Sequence, residues 1–181
     1  MGIVGYKRYK ISDFIFERGN FISLYGASGS GKTVTALQVI KDSETGLFIS
    51  TNGSIYRERV KTMNISKAFF IEVGGILELL NAVMRAISME LQPIIVDDIN
   101  TYYRISGKSN DLLYPLSLLK EYSKYAKVLI LWQMSFNNRV SGEKFMRYFS
   151  DDILRITKTY IIGNMRRIKI CITNKGVDVC R

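Results

Sequence analysis

No histidine occurs anywhere in the sequence, which excludes histidine-based acid–base catalysis and histidine-ligated zinc. Cysteine is nearly absent too. The two present, Cys171 and Cys180, fit neither a metal-binding spacing nor a disulfide framework, so the expectation is a small core residue at 171 and a near-terminal free thiol at 180. Apolar runs are short and interrupted, well below the roughly 18 residues a membrane-spanning helix needs. No transmembrane segment and no membrane partner are therefore expected. The opening residues Met1-Gly2-Ile3-Val4-Gly5-Tyr6-Lys7-Arg8 lack a long apolar stretch before a small-residue cleavage site, which argues against a secretory signal and for a cytoplasmic protein. Acid is the scarce charge: 16 Asp and Glu stand against 26 Lys and Arg, a formal net charge of +10. That balance favours polyanionic partners, although a basic surface also serves solubility alone.

Hydrophobic residues make up 47% of the 181, ample for one packed core, and the length fits a single domain over residues 1–181. The most informative stretch is Gly26-Ala27-Ser28-Gly29-Ser30-Gly31-Lys32-Thr33, which satisfies the phosphate-loop pattern G-x-x-x-x-G-K-[ST] at every specified position. Its glycines let the backbone wrap a polyphosphate with successive N–H groups pointing at the anion. Lys32 is placed to neutralise the β- and γ-phosphates of ATP, and the Thr33 hydroxyl to ligate Mg²⁺. The flanks agree: residues 21–25 read as a buried strand and 34–40 as a helix whose N-terminus faces the phosphates.

The chain continues as an alternation of strands and helices. Strands are expected at 47–50, 68–73, 94–97 and 127–132, and helices at 55–63, 75–90 and 112–122. Thr51-Asn52-Gly53-Ser54 follows the first of these strands, at the edge where open α/β sheets bind ligands. Ile94-Ile95-Val96-Asp97-Asp98 has the form of a central parallel strand carrying a metal-site acid at its tip. Residues 100–111 and 135–143 are polar and read as exposed loops. Short strands at 153–156, 160–162, 167–172 and 177–179, separated by Gly163-Asn164 and Asn174-Lys175-Gly176, read as antiparallel hairpins. The fold class is α/β: a mostly parallel sheet flanked by helices and finished by an antiparallel hairpin edge.

Together these segments resemble the RecA-type recombinase ATPase core, most closely the archaeal RadA branch and its single-domain paralogs, over nearly the whole chain. Residues 17–26 are similar to the family's strand entry into the phosphate loop. Residues 49–60, ISTNGSIYRERV, look like the family's I-D-T-E-G-T-F-R-P-E-R-I segment, a more specific match than the loop. Residues 94–97 resemble the second nucleotide motif, Tyr103-Arg104 the start of the first DNA-facing loop, and Trp132-Gln133 the end of the sensing strand. The resemblance implies ATP and Mg²⁺ as cofactors, Thr33 and Asp97 at the metal, and Gln133 as a sensor of nucleotide state. It also implies partners in single-stranded DNA and in a RadA-type recombinase or another paralog, with nucleoid association when on DNA. Asn52 stands where the family carries the glutamate that activates water, and an amide has no basic lone pair for that proton. Weak or absent hydrolysis is the consequence. No separate N-terminal DNA-binding domain is expected, since residues 1–20 are too few to hold one, and the second DNA loop, 135 to about 146, is short.

Each site residue has a plainer alternative. Asp97 is either a metal ligand through water or a strand-end turn residue; Asp98 either adjusts the metal site or caps a turn. Arg104 and Lys108, with Arg139, Lys144 and Arg147, are candidate phosphate contacts, and Tyr102, Tyr103 and Phe136 candidate stacking groups, against the reading of a solvated face. Arg166 and Arg167 are either further contacts or edge-strand charges that discourage aggregation. The function expected is an ATP-binding accessory of homologous recombination and DNA repair. Its rivals are a DNA-stimulated ATPase using a relocated carboxylate, Asp98 or Glu58, and a KaiC-like signalling ATPase that never meets DNA.

Overall fold

In the computed structural model, which describes residues 9–135 and 137–180, a nine-stranded sheet carries every other element. Its spatial order is β3-β2-β4-β5-β1-β6-β7-β8-β9. In chain order the strands are β1 (Phe21–Gly26), β2 (Leu47–Ser50), β3 (Phe69–Glu72), β4 (Ile94–Asp97), β5 (Val128–Gln133), β6 (Asp152–Ile156), β7 (Tyr160–Gly163), β8 (Arg166–Thr173) and β9 (Gly176–Val179). The first six run parallel. The reversal begins at the pairing of β6 with β7, so the segment at 153–156, grouped with the hairpins by its sequence, is parallel to β1 and antiparallel only to β7.

The central strands β1, β2, β4 and β5 are almost wholly buried, as near-continuous aliphatic runs must be when helices cover both faces. Alternation along each strand divides the core. Ile22, Leu24, Phe48, Ile95, Leu129 and Leu131 face α1 (Ile11–Ile15), α2 (Lys32–Ser43) and α3 (Arg57–Met63). Phe21, Ile49, Val96, Ile130 and Trp132 face α4 (Ile76–Ser88), α6 (Asn110–Tyr122) and α7 (Glu143–Phe149). The parallel register aligns the carboxyl ends of the strands: Gly26 is opposite Gln133 and Ser50 opposite Asp97. One edge therefore collects the ends of β1, β2, β4 and β5, where such sheets bind ligands.

Four expectations are corrected. Residues 101–106 form a helix, α5 (Thr101–Ser106), closed by Gly107 at φ +70°, not an exposed loop. This helix buries none of its residues, so it leaves no apolar period to read. The second polar segment likewise ends in α7 from Glu143, and Lys144 and Arg147 therefore lie on a helix. Two turns with only Met146 and Phe149 buried are too short for a clear periodic signal. Arg166 is no edge charge: its side chain, 8% exposed, pairs with the equally buried Asp152 at 2.5 Å and with Glu17 at 3.0 Å, and its guanidinium sits over the Phe14 ring. Finally, Cys171 and Cys180 form a disulfide, with Cα atoms 5.4 Å apart. Cys171 is opposite Asp178, and the period-two alternation of a strand brings Cys180 to the same face. Expecting free thiols went wrong because pairing depended on a hairpin register that cysteine spacing alone did not reveal.

Two outcomes test this architecture. Truncating Arg166 to Ala leaves Asp152 buried without its partner and should cost about 3–5 kcal/mol in a denaturant melt. Reduction of the disulfide, or the Cys171→Ser/Cys180→Ser variant, frees a loop of nine-residue separation and should lower stability by about 2–3 kcal/mol on chain-entropy grounds.

Candidate nucleotide site

The phosphate loop joins β1 to α2, and its glycines answer to contacts on either side. Gly31 caps α2 at φ +99°, and a Cβ there would lie 2.4 Å from Ile172 Cδ1 on β8. At Gly26 a Cβ would lie 2.6 Å from the carbonyl oxygen of Ile156 on β6. Neither position admits a side chain. Lys32, 8% exposed, donates its ammonium protons to the carbonyls of Gly26 at 2.9 Å and Ala27 at 3.2 Å. A buried ammonium needs such acceptors, and here they are the loop's own backbone, so Lys32 stays folded across the cradle whose phosphates it would neutralise.

The second half of the site comes from β2 and β4. Thr33 donates its hydroxyl proton to Asp97 Oδ2 at 2.6 Å, joining the start of α2 to the tip of β4. Asp97 is 5% exposed. Burial, and then the neighbouring charge of Asp98, push its carboxyl up to about 8, against the opposing pull of the Thr33 bond and Lys32. Asp98 is buried as well; its Oδ2 accepts a bond from Asn52 Nδ2 at 3.1 Å, while its Oδ1 has no hydrogen-bond partner. Hydroxyl and carboxylate oxygens at this spot are hard donors of the kind Mg²⁺ prefers, and Thr33 with Asp97 fit it. Among the described residues no cluster of three or more His, Cys, Asp or Glu side chains forms a metal cage.

Thr51 and Asn100, which sequence reasoning did not single out as anchors, hold this arrangement. Thr51 Oγ1 receives the N–H of Asp98 and bonds the carbonyl of Asp98 and the Thr101 hydroxyl, while its N–H donates to the Asp97 carbonyl. Asn100 is fully buried; it donates through Nδ2 to the carbonyls of Gln133 and Ser141 and accepts the Gln133 N–H at 3.1 Å. Gln133 is thereby fixed at the end of β5 and tied to the segment that follows it. The signal available in advance was weak: both are small polar residues close after strands, Thr51 directly after β2 and Asn100 three positions after the end of β4.

The expected DNA contacts are exposed but not uniform. Arg104 lies on α5, Lys108 just after it, Arg139 in the loop before α7, and Lys144 and Arg147 on α7. The T-shaped contact of Tyr103 with Phe145, centroids 6.3 Å apart, brings α5 and α7 together. Arg147 is already engaged by Glu143 through two nitrogens. Tyr102 donates its hydroxyl proton to the Val73 carbonyl at 2.6 Å, so its ring is committed to packing and is not free to stack. Phe136 lies outside the described residues. Glu58, on the exposed face of α3, takes no part in the cluster around Asp97.

The fold has solved counterparts. The crystal structure of the RadB recombinase superposes with a TM-score of 0.75 at 19% identity, covering 93% of this chain and 96% of that one. The fold is RecA-like. A KaiC-like protein from the hyperthermophilic archaeon Pyrococcus horikoshii superposes with a TM-score of 0.72 at 16% identity, covering 97% of this chain and 99% of that one. No protein-family model matches the sequence, and no curated protein is similar to it at a significant level. No described helix is long and apolar enough to cross a membrane.

The perturbed carboxyl gives a pH signature. Asp97 titrates near 3.8 when unfolded and at about 8 in the fold, so the folded state holds a proton that the unfolded chain has released. Its contribution to stability is complete below about pH 4 and is lost as pH rises through about 8. The melting temperature of chelator-treated protein should therefore fall between pH 5 and pH 8, and Asp97→Asn should flatten that fall. Equal slopes in the two proteins would contradict a protonated Asp97.

Proposed function

We propose that this RecA-like core binds ATP with Mg²⁺ at the 26–33 loop and serves as an accessory of homologous recombination. In this role it contacts single-stranded DNA through Arg104, Lys108, Arg139, Lys144 and Arg147 and hydrolyses ATP slowly or not at all. Asn52 carries the reading. Its amide stands where the resembled family carries its water-activating glutamate, and its donor is held by Asp98 Oδ2 at 3.1 Å. A neutral amide orients water but accepts no proton at neutral pH. Bound nucleotide supplies the phosphate charge that the site is built to meet: Lys32 would neutralise it, and Thr33 and Asp97 would hold its metal. The residues around the site then report occupancy. Asn100 links Gln133 to Ser141, so a change at the end of β5 is passed to the segment that carries Arg139. Nucleotide shifts that segment only by its differential affinity for the segment's two states. A RadA-type recombinase or a further paralog is the protein partner this role implies.

A second reading has one observation in its favour. Asp98 keeps Oδ1 buried and without a partner, next to Asn52, and a carboxylate in that place is a candidate base. The protein would then be a working DNA-stimulated ATPase. A signalling ATPase of the KaiC-like kind would differ from both by ignoring DNA at low salt, where electrostatic binding is strongest.

Turnover assays separate these readings. ATP should bind with near-background turnover, Lys32→Ala should abolish binding in a folded protein, and Asn52→Glu should raise turnover by about 10²-fold, the lower end of what a positioned base contributes. Robust wild-type turnover that Asp98→Asn removes would replace the first reading with the second.

A further inference from the structure

Strands β6–β9 are covered by helices on one face only. Their inward residues Leu154, Ile156, Ile161, Ile170 and Val177 join the cluster under α1 and α2. On the other face the hydrophobic cluster of α4, α6 and α7 reaches Ile153 on β6 and takes in no residue of β7, β8 or β9. The outward residues are therefore bare, and their order is not that of an ordinary solvated sheet. Arg155, Ile162 and Arg167 are register partners across three strands, and Tyr160 is the partner of Lys169. With strands about 4.8 Å apart, the two arginines begin and end a line about 10 Å long. Arg155, Ile162, Arg167 and Lys169 are exposed and Tyr160 is half-buried, with the Arg167 guanidinium 5.6 Å over its ring. Asp178, opposite Cys171, is the acid on this face. The acids at the start of β6 are engaged elsewhere, Asp152 by Arg166 and Asp151 by Lys120.

The cationic line does not stop at the sheet. Arg155 and Lys158 line a cavity of about 200 Å³ together with Ser28 of the phosphate loop and Asn138. Asn138 is followed by Arg139, so the cavity lies between that arginine's segment and the basic residues of β6.

We propose that this bare sheet face is a docking surface for single-stranded nucleic acid. Phosphates pair with Arg155, Arg167 and Lys169, while bases rest on Tyr160 and Ile162. The inference rests on the single-strand reading above and extends it from the helix-borne contacts to a second surface. Three cations against one acid leave the face net positive, which selects a polyanion. Apolar and aromatic side chains set between the cations select a strand whose bases are available to stack, which a duplex does not offer.

Anisotropy of a labelled oligothymidylate, titrated at several salt concentrations, tests it. Arg167→Ala/Lys169→Ala should weaken binding about tenfold at low salt and reduce the salt slope by about 0.7 for each lost phosphate contact. Its affinity for ATP should match the wild type. Tyr160→Ala should weaken single-strand binding about fivefold or more; if that variant does not fold, the Arg167/Lys169 pair decides alone. Wild-type binding that these variants leave unchanged, while Arg104→Ala/Lys108→Ala abolishes it, overturns the sheet surface and leaves the proposed function standing. Absence of any wild-type binding at low salt overturns both. Equal affinity for a duplex, unaffected by Tyr160→Ala, overturns the single strand as occupant.

Discussion

The hydrogen bond from Thr33 to Asp97 is the constraint on which the site depends. It joins the first turn of a helix to the tip of a strand that is not the helix's sequence neighbour in the sheet, because β5 lies between β1 and β4. That spacing is fixed by strand order and parallel register. A one-residue slip of β4 would turn Asp97 to the opposite face and bring Val96 into its place. The aliphatic runs of β4 and β5, buried on both faces, therefore do more than stabilise: they set the distance between the two halves of a phosphate site. The cost is electrostatic. Burial, and then the adjacent charge of Asp98, disfavour the Asp97 carboxylate, which is why Asp97 retains its proton well into the neutral range. A divalent cation is the partner that would reverse this.

Around that bond the polar groups form a closed network instead of a loose edge. Thr51 ties the end of β2 to both aspartates, and Asn100 ties the end of β5 to the segment after it. Such buried networks rigidify when satisfied, and this one has a single open acceptor, Asp98 Oδ1. Asn52 stands at its rim. The amide donates to Asp98 Oδ2, where a glutamate would bring a further carboxyl up to two buried acids.

The parts legible in the sequence were those with a strong local period or a fixed spacing. The phosphate loop, the parallel strands with their aliphatic runs, and the helix at 76–88 with Leu79, Ala82, Val83 and Ala86 on one side all stand where expected. Elements whose stability comes from contacts with distant segments were missed. Helix α5 has no buried face and is held through Tyr102 to Val73 and through Tyr103 to Phe145. The Arg166–Asp152 pair and the disulfide also depend on which strands become neighbours, information that residue spacing does not contain. In the site, residue types announced Lys32, Thr33 and Asp97, whereas the bond from Asn52 to Asp98 spans 46 positions and emerged only from the packing of β2 against β4.

The β8–β9 hairpin couples the two surfaces of the molecule through the alternation of a strand. Cys171 points to the bare face, where the disulfide to Cys180 clips the hairpin shut. Ile172, the next residue, points the other way and fills the space beside Gly31 that a Cβ would otherwise claim. Along β9 the Val177 N–H donates to Gln38 on α2, and the carbonyl of Lys175 accepts from Lys41. The hairpin is thus a brace for the helix that follows the phosphate loop, and it belongs to the same strands that carry Arg167 and Lys169. A ligand that orders this hairpin from outside would also steady Ile172 against the loop inside. Thermodynamic reciprocity then requires nucleotide to favour that ligand by the same factor.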